Sequence, residues 1–351
     1  MATDQTEKTI LDTEALVQAV LETIERERER EIVARRFGLF DRKETLEQIG
    51  ELLGITRERV RQLEKSVMSR LRANTEAGEL PRGTEIETAL LGYLAEHGEV
   101  ARVTDVSEAI TAENSKTDQS RVAFLASLCP GIVTIEENDD FYQAIGNRKV
   151  RDDKSIKKDV AKLVDTIKKA AEPKPIDEIA AAANFTDATQ AEALASVSKK
   201  LATLNGRWGL VKWPMVNPKN IRDKIYVILK EKGKHMHFNE IADAIKGSEF
   251  KRKDVTTQAI HNELIKDKRF VLVGRGIYAL KEWGYEKGTV ADIIAEILRK
   301  EGAALHRDEI VKRVLKSRYV KETTILLNLQ GKPQFKRVAK ATYALDEPAE
   351  A

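Results

Sequence analysis

The chain has 351 residues, of which 33% are charged and 5% aromatic, with a formal net charge of +3. That length calls for roughly two to five domains, and a single cysteine, Cys129, excludes a disulfide framework and a cysteine zinc site. No run of roughly 18 apolar residues and no basic-then-apolar leader occurs, so the expectation is a chain neither exported nor inserted into a membrane.

From Ile10 to about Ile32, the residues Leu11, Ala15, Leu16, Ala19, Val20 and Ile24 recur at spacings of three and four. This predicts one amphipathic helix packed under the segment that follows. In Thr45-Leu46-Glu47-Gln48, Thr and Gln three apart form a capping box that opens a short helix. Leu46, Ile49, Leu52 and Leu53 are expected on its apolar side, and Gly54 ends it where a left-handed residue is wanted. Thr56 then caps a second helix reaching about Arg72, roughly 25 Å long at ~1.5 Å per residue.

On that second helix Val60, Leu63, Val67 and Leu71 share a narrow arc that faces the core. The opposite arc carries Glu58, Arg61, Gln62, Lys65 and Arg72, with Arg57 and Arg59 on the flanks. Between Arg57 and Arg72 six basic residues stand against two acids, a composition suited to phosphates. Glu58 is the exception. A carboxylate on a phosphate-binding face weakens binding unless it accepts a hydrogen bond, and cytosine N4 offers that donor. Gln62 has the chemistry for adenine, and Arg57 or Arg61 that for guanine. The plainer alternative is a solvated Arg-rich face with Glu58 favoured by the helix dipole.

The sequence Arg36-Phe37-Gly38-Leu39, followed by Thr45–Gly50 and Thr56–Glu64, resembles region 4 of the bacterial sigma-70 family. The resemblance covers about residues 10–75. It implies a module that binds duplex promoter DNA at the −35 element and the β flap of core RNA polymerase. It further implies DNA contact by Thr56, Arg57, Glu58, Arg59, Arg61, Gln62 and Lys65, with Arg57, Glu58 and Gln62 reading bases. Arg59, Arg61 and Lys65 would then lie near the backbone.

Ala73 to Gly83, with Gly78, Pro81 and Gly83, is expected to be a linker. After it a pattern recurs four times: a helix, a second short helix, a third helix, and a strand pair with an aromatic residue. The second helices are expected at Val103–Ile110, Ile176–Ala180, Phe238–Ile245 and Arg307–Val311. The aromatics are Phe141-Tyr142, Trp208, Tyr278 and Tyr343. Asn205-Gly206 fits a tight hairpin turn, and Gly274-Arg275-Gly276 a three-residue loop. Three helices and a hairpin describe a winged helix. The fold class is therefore mainly α: a helix-turn-helix head at 10–75, then winged-helix-like units at 84–146, 154–213, 219–285 and 287–346. The last two, through His237–Ile241 with Gly276–Leu280 and His306–Ile310 with Ala341–Leu345, resemble the HARE-type winged helix, a family that includes the RNA polymerase delta subunit.

Residues 1–148 hold 19 Lys and Arg against 29 Asp and Glu, whereas residues 149–351 hold 41 against 28. The basic half points to a polyanion partner, with Arg207 and Arg275 at the hairpin turns as wing contacts; Lys-rich solvated faces give the same count. His235-Met236-His237 lacks the further ligands of a metal site. Trp208, Trp213 and Trp283 fit packing better than base stacking, and Cys129 fits a core position. No catalytic cluster, cofactor fingerprint or small-molecule site emerges, so the expectation is a non-enzyme without cofactor or metal. The favoured reading is a cytoplasmic, nucleoid-associated factor in transcription initiation. It would be accessory or atypical, because only about 30 residues precede the match and none before Phe37 is aromatic. The alternative is a delta-like polymerase subunit acting through protein contacts, without reading sequence.

Overall fold

A computed structural model describes residues 10–250, 252, 254–285 and 288–346. The chain divides into two compact units, Met1–Lys212 and Trp213–Ala351. The described residues are mainly helical and carry four small antiparallel sheets.

The first unit begins with α1 (Thr13–Glu22) and α2 (Glu27–Phe37). One helix was expected here, and the break falls at Thr23. Its N–H and hydroxyl both turn back to the Val20 carbonyl, the hydroxyl at 2.7 Å, and Arg26 is extended. α1 also does not lie chiefly under the helix-turn-helix. It runs along a later helix, α7, for reasons set out below.

α3 (Leu46–Leu53) starts with the predicted capping box: Thr45 Oγ1 accepts from the Gln48 N–H at 3.3 Å, and Gln48 Oε1 accepts from the Thr45 N–H at 2.9 Å. Gly54 closes it at φ 62°. Ile49 is buried with Ile32 and Val60, and Leu46, Leu53, Ile55 and Leu63 pack around them. Leu52 departs from the expected stripe and is 54% exposed, because the small α3 core is filled without it. α4 (Arg57–Glu76) enters through Thr56, whose hydroxyl accepts from the Arg59 N–H at 3.2 Å. The turn between the two helices is tight enough that a Cβ on Gly50 would lie 2.7 Å from the Ile55 carbonyl. α4 runs one turn further than predicted, so the expected linker shrinks. Glu79 N–H caps the Asn74 carbonyl at 2.8 Å, and Leu80 plugs the core.

Next come α5 (Gly83–Glu96), β1 (Val100–Arg102), α6 (Val103–Ile110), α7 (Lys116–Leu128), β2 (Ile132–Ile135) and β3 (Ala144–Asn147). The same order recurs in α8 (Asp153–Ala170), β4 (Lys174–Pro175), α9 (Ile176–Ala182), α10 (Ala188–Ser196), β5 (Leu201–Leu204) and β6 (Arg207–Leu210). In each sheet the last strand lies between the other two.

One core joins the head to the first of these segments. Leu16, Val20, Val33, Leu39, Val67 and Leu71 are buried together with Val122, Phe124 and Leu125 of α7. The Phe37 and Phe124 rings are 5.1 Å apart. Arg121 clamps the junction, giving its Nε to the Leu39 carbonyl at 2.8 Å and Nη2 to Glu14 at 2.7 Å. Thr13 Oγ1 donates to Asp118 at 3.1 Å, so α1 is held on α7 by polar as well as apolar contacts.

The second unit repeats the pattern twice. It contains α11 (Ile221–Lys232), β7 (Met236–His237), α12 (Phe238–Lys246), α13 (Thr257–Lys266), β8 (Phe270–Gly274) and β9 (Ile277–Leu280), then α14 (Val290–Glu301), β10 (Leu305–His306), α15 (Arg307–Ser317), α16 (Glu322–Gly331), β11 (Phe335–Ala339) and β12 (Thr342–Leu345). Trp208, Tyr278 and Tyr343 are buried on central strands and pair with Lys174, Met236 and Leu305. In the first sheet the corresponding residue is Ile145, opposite Ala101. Phe141-Tyr142 therefore does not hold the place expected of it. Those residues precede β3 and strap onto the end of α10, where the Tyr142 N–H meets the Val197 carbonyl at 3.0 Å.

Candidate nucleic-acid interface

The outer face of α4 is an exposed, charged surface. Val60, Val67, Met68 and Leu71 anchor it from below, and Arg57, Glu58, Arg59, Arg61, Gln62 and Lys65 are all exposed. Glu29, buried on α2, fixes the helix by an ion pair to Arg70 at 2.8 Å.

The residues expected to contact DNA are already engaged with one another. Arg61 holds Glu58 by two hydrogen bonds, Nε at 2.8 Å and Nη2 at 2.7 Å, and Gln62 Nε2 adds a third at 3.3 Å. The Arg61 guanidinium draws the Glu58 carboxyl down to about 2. Arg57 pairs with Glu47 of α3 at 2.9 Å. Arg59 reaches Gln62 Oε1 at 3.5 Å. Thr56 is occupied as the helix cap, so its hydroxyl holds the N-terminal turn. Glu58 sits in the first turn, where the helix dipole favours a carboxylate, and its partners are the exposed side chains of Arg61 and Gln62.

Sequence reasoning missed the flank. Arg61, Lys65 and Arg72 line a cleft of about 920 Å³ with Arg36 of α2 and Lys43 of the α2–α3 loop. Its floor is Phe37, Met68 and Ala123, and its far wall comes from α7. Arg72 is not free on the outer arc, since its Nε donates to the Ser127 carbonyl at 2.9 Å. The signal for Arg36 and Lys43 was present in their charge, but their convergence depends on the turn at Gly38.

The remaining candidates fall elsewhere. Arg207 is exposed beside a two-residue turn in which Asn205 and Gly206 take φ 50° and 72°. Arg275 is exposed in the turn between β8 and β9 of the second unit. His237 caps α12 through Nδ1, which accepts from the Asn239 N–H at 3.3 Å, while His235 stacks on Tyr319 at 4.2 Å. Among the described residues no group of three or more His, Cys, Asp and Glu is arranged to hold a metal ion. Burial pushes the Cys129 thiol up to about 12, with the Glu87 charge adding to it. Trp208 is buried, and Trp283 packs on Val271, Val273 and Ala279. No helix among the described residues is long and apolar enough to cross a membrane.

Residues 26–73 match the family model described as Sigma-70, region 4. The match covers α2, α3 and most of α4, the elements that carry the charged face. Among curated relatives, RNA polymerase sigma factor RpoD of Helicobacter pylori is 45% identical over 64 residues, which are 18% of this chain and 9% of the relative. RNA polymerase sigma factor SigA of a Bacillus species is 46% identical over 57 residues, 16% of this chain and 15% of the relative. The chain thus spans between 9% and 15% of the length of these relatives. The head is similar to sigma-70 region 4, and the family match ends at residue 73, within α4.

Proposed function

We propose that this protein is a non-enzymatic, cytoplasmic factor in transcription initiation. Its α3–α4 head binds −35-like promoter DNA and contacts core RNA polymerase at the β flap, and tandem winged-helix units, the last two HARE-type, add further contacts. The observation that carries the reading is the exposed α4 face, with Glu58, Arg61 and Gln62 in mutual hydrogen bonds on a helix similar to sigma region 4. Each of these side chains has a base-edge partner of matching chemistry, so the internal bonds can be exchanged for contacts in the major groove. Arg59 and Lys65 supply phosphate contacts on either side. The role in this reading is accessory or atypical, with the family match covering residues 26–73 of the chain.

The test is titration against single-base variants of the best-bound duplex. Glu58→Ala is expected to relax discrimination at one position by ~1–3 kcal/mol and to leave non-specific binding intact. Arg59→Ala is expected to weaken all sequences and flatten the salt dependence. Equal losses on every sequence for Glu58→Ala would remove base reading. They would favour the second reading, a delta-like polymerase subunit that uses the head for protein docking. The burial of the head's apolar face against α7 gives that reading its own support, because α7 already joins the head to a neighbouring segment.

A further inference from the structure

The segments that follow the head use their third helices as joints. α7 is buried from Arg121 to Ala126 and again at Leu128. α10 contains no Lys or Arg, buries Ala191, Ala193, Leu194 and Ala195, and docks on β1, where Arg102 Nε donates to the Ser196 carbonyl. In the second unit α13 has one Lys against one Glu, and α16 has one Glu and no basic residue. None of the four offers the basic outer face that α4 does.

The charge has moved to a first helix. α8 buries Ile156, Val160, Leu163, Val164 and Ile167 and turns Lys154, Lys157, Lys158, Lys162, Lys168 and Lys169 outward. At 100° per residue these lysines share one face, on which Asp165 is the single interior acid. Lys157 and Lys168 are paired, with Asp153 at 2.9 Å and Asp165 at 3.3 Å. Lys154, Lys158 and Lys169 form no ion pair among the described residues. A merely solvated face of a stable helix is ordinarily laced with acids at i±4, which lower its self-repulsion. This face keeps its repulsion around Lys154 and Lys158, which have no acid at i±3 or i±4, and a phosphate backbone would relieve it. Its length, ~22 Å from Lys154 to Lys169, is that of roughly six base-pair steps along a duplex axis.

We propose that the lysine face of α8 binds the nucleic-acid phosphate backbone, as a second, sequence-independent contact beside α4. This rests on the DNA-binding reading of the head but uses a different helix and different chemistry. It makes the second repeat a clamp on flanking duplex rather than a reader of bases.

The experiment uses the full chain and a long duplex lacking any −35-like sequence, with affinity measured across salt concentrations. Replacing Lys154, Lys158 and Lys169 together by Ala is expected to reduce the slope of log K against log salt by about 2.7. Replacing the same three by Arg is expected to preserve it. All three are exposed and form no ion pair among the described residues, so circular dichroism should be unchanged. The control is Arg59→Ala with Lys65→Ala in α4. If that control flattens the slope while the α8 variant does not, the α8 assignment falls and the head's DNA binding stands. If neither variant alters the slope, both readings fall. If the α8 variant keeps its slope but loses capture by RNA polymerase, the lysines face an acidic protein surface and the assignment is overturned.

Discussion

α4 and α7 begin alike and are used in opposite ways. Each is entered through a hydroxyl cap, Thr56 or Ser115, and each contributes to the same core. α4 buries one narrow stripe and leaves its charged arc to solvent. α7 is covered on nearly every side by α1, the head and its own repeat, and its one buried cation, Arg121, is consumed in holding the Leu39 carbonyl and Glu14. The difference teaches that a helix in the recognition position binds a partner only if nothing in the chain has already covered its outer face. The covering is a long-range property: Glu14 and Arg121 lie 107 residues apart in sequence.

The largest effect that sharpens this comparison is on stability. Phe124 is fully buried on α7 and packs at a tilt against Phe37 of α2. Phe124→Ala is expected to cost about 3–5 kcal/mol in denaturant unfolding. Because the core is shared, DNA binding by the head should be lost together with α7. A variant in which the head still binds duplex after α7 has unfolded would show that the small Ile32–Ile49–Val60 core suffices, and the contrast between the helices would lose its structural basis.

A smaller effect tests the joint at α10. Gly98 takes φ 80°, and a Cβ there would lie 2.6 Å from the Thr189 carbonyl and 2.9 Å from the Ala193 Cβ. Gly98→Ala is expected to destabilise by about 2–4 kcal/mol, from the left-handed backbone and the clash together. Thermal unfolding measures it. A neutral result would mean that α10 is not held on β1 and is open to another partner.

Much of the head was legible because its signals are local. Thr45 with Gln48, Gly54 and Thr56 act within one turn of the residues they cap, so spacing alone locates them. The break after Glu22 was not legible, since the Leu11–Ile24 periodicity continues through it and only the docking of α1 on α7 makes a turn worth forming. The first repeat misled for another reason. Aromatics mark the central strand in the other three, and Phe141-Tyr142 lies near the expected distance, yet strand register assigns the position to Ile145. The Glu58–Arg61 pair was visible as an i, i+3 spacing. In the folded helix that spacing places Arg61 Nη2 2.7 Å from the Glu58 carboxylate.

The smallest effect concerns that pair. Glu58 and Arg61 are both exposed, so Arg61→Ala should leave folding stability nearly unchanged. Its titration should change more clearly. The carboxyl lies at about 2, below its ordinary value of 4.5, chiefly because Arg61 donates to it. A depressed carboxylate contributes stability above its unfolded value, and that contribution disappears as pH falls through the folded one, here the window from 4.5 down to about 2. Glu58 therefore stays ionised at any pH where DNA binding is measured, and its base discrimination should be flat from about pH 5 to 8. In Arg61→Ala the carboxyl should return toward the ordinary range, which NMR titration of Glu58 detects. If it stayed near its depressed value, Gln62 and Arg57 would be holding it instead. Arg61 would then be free for phosphate from the outset, and the reading face would require no exchange of partners on binding.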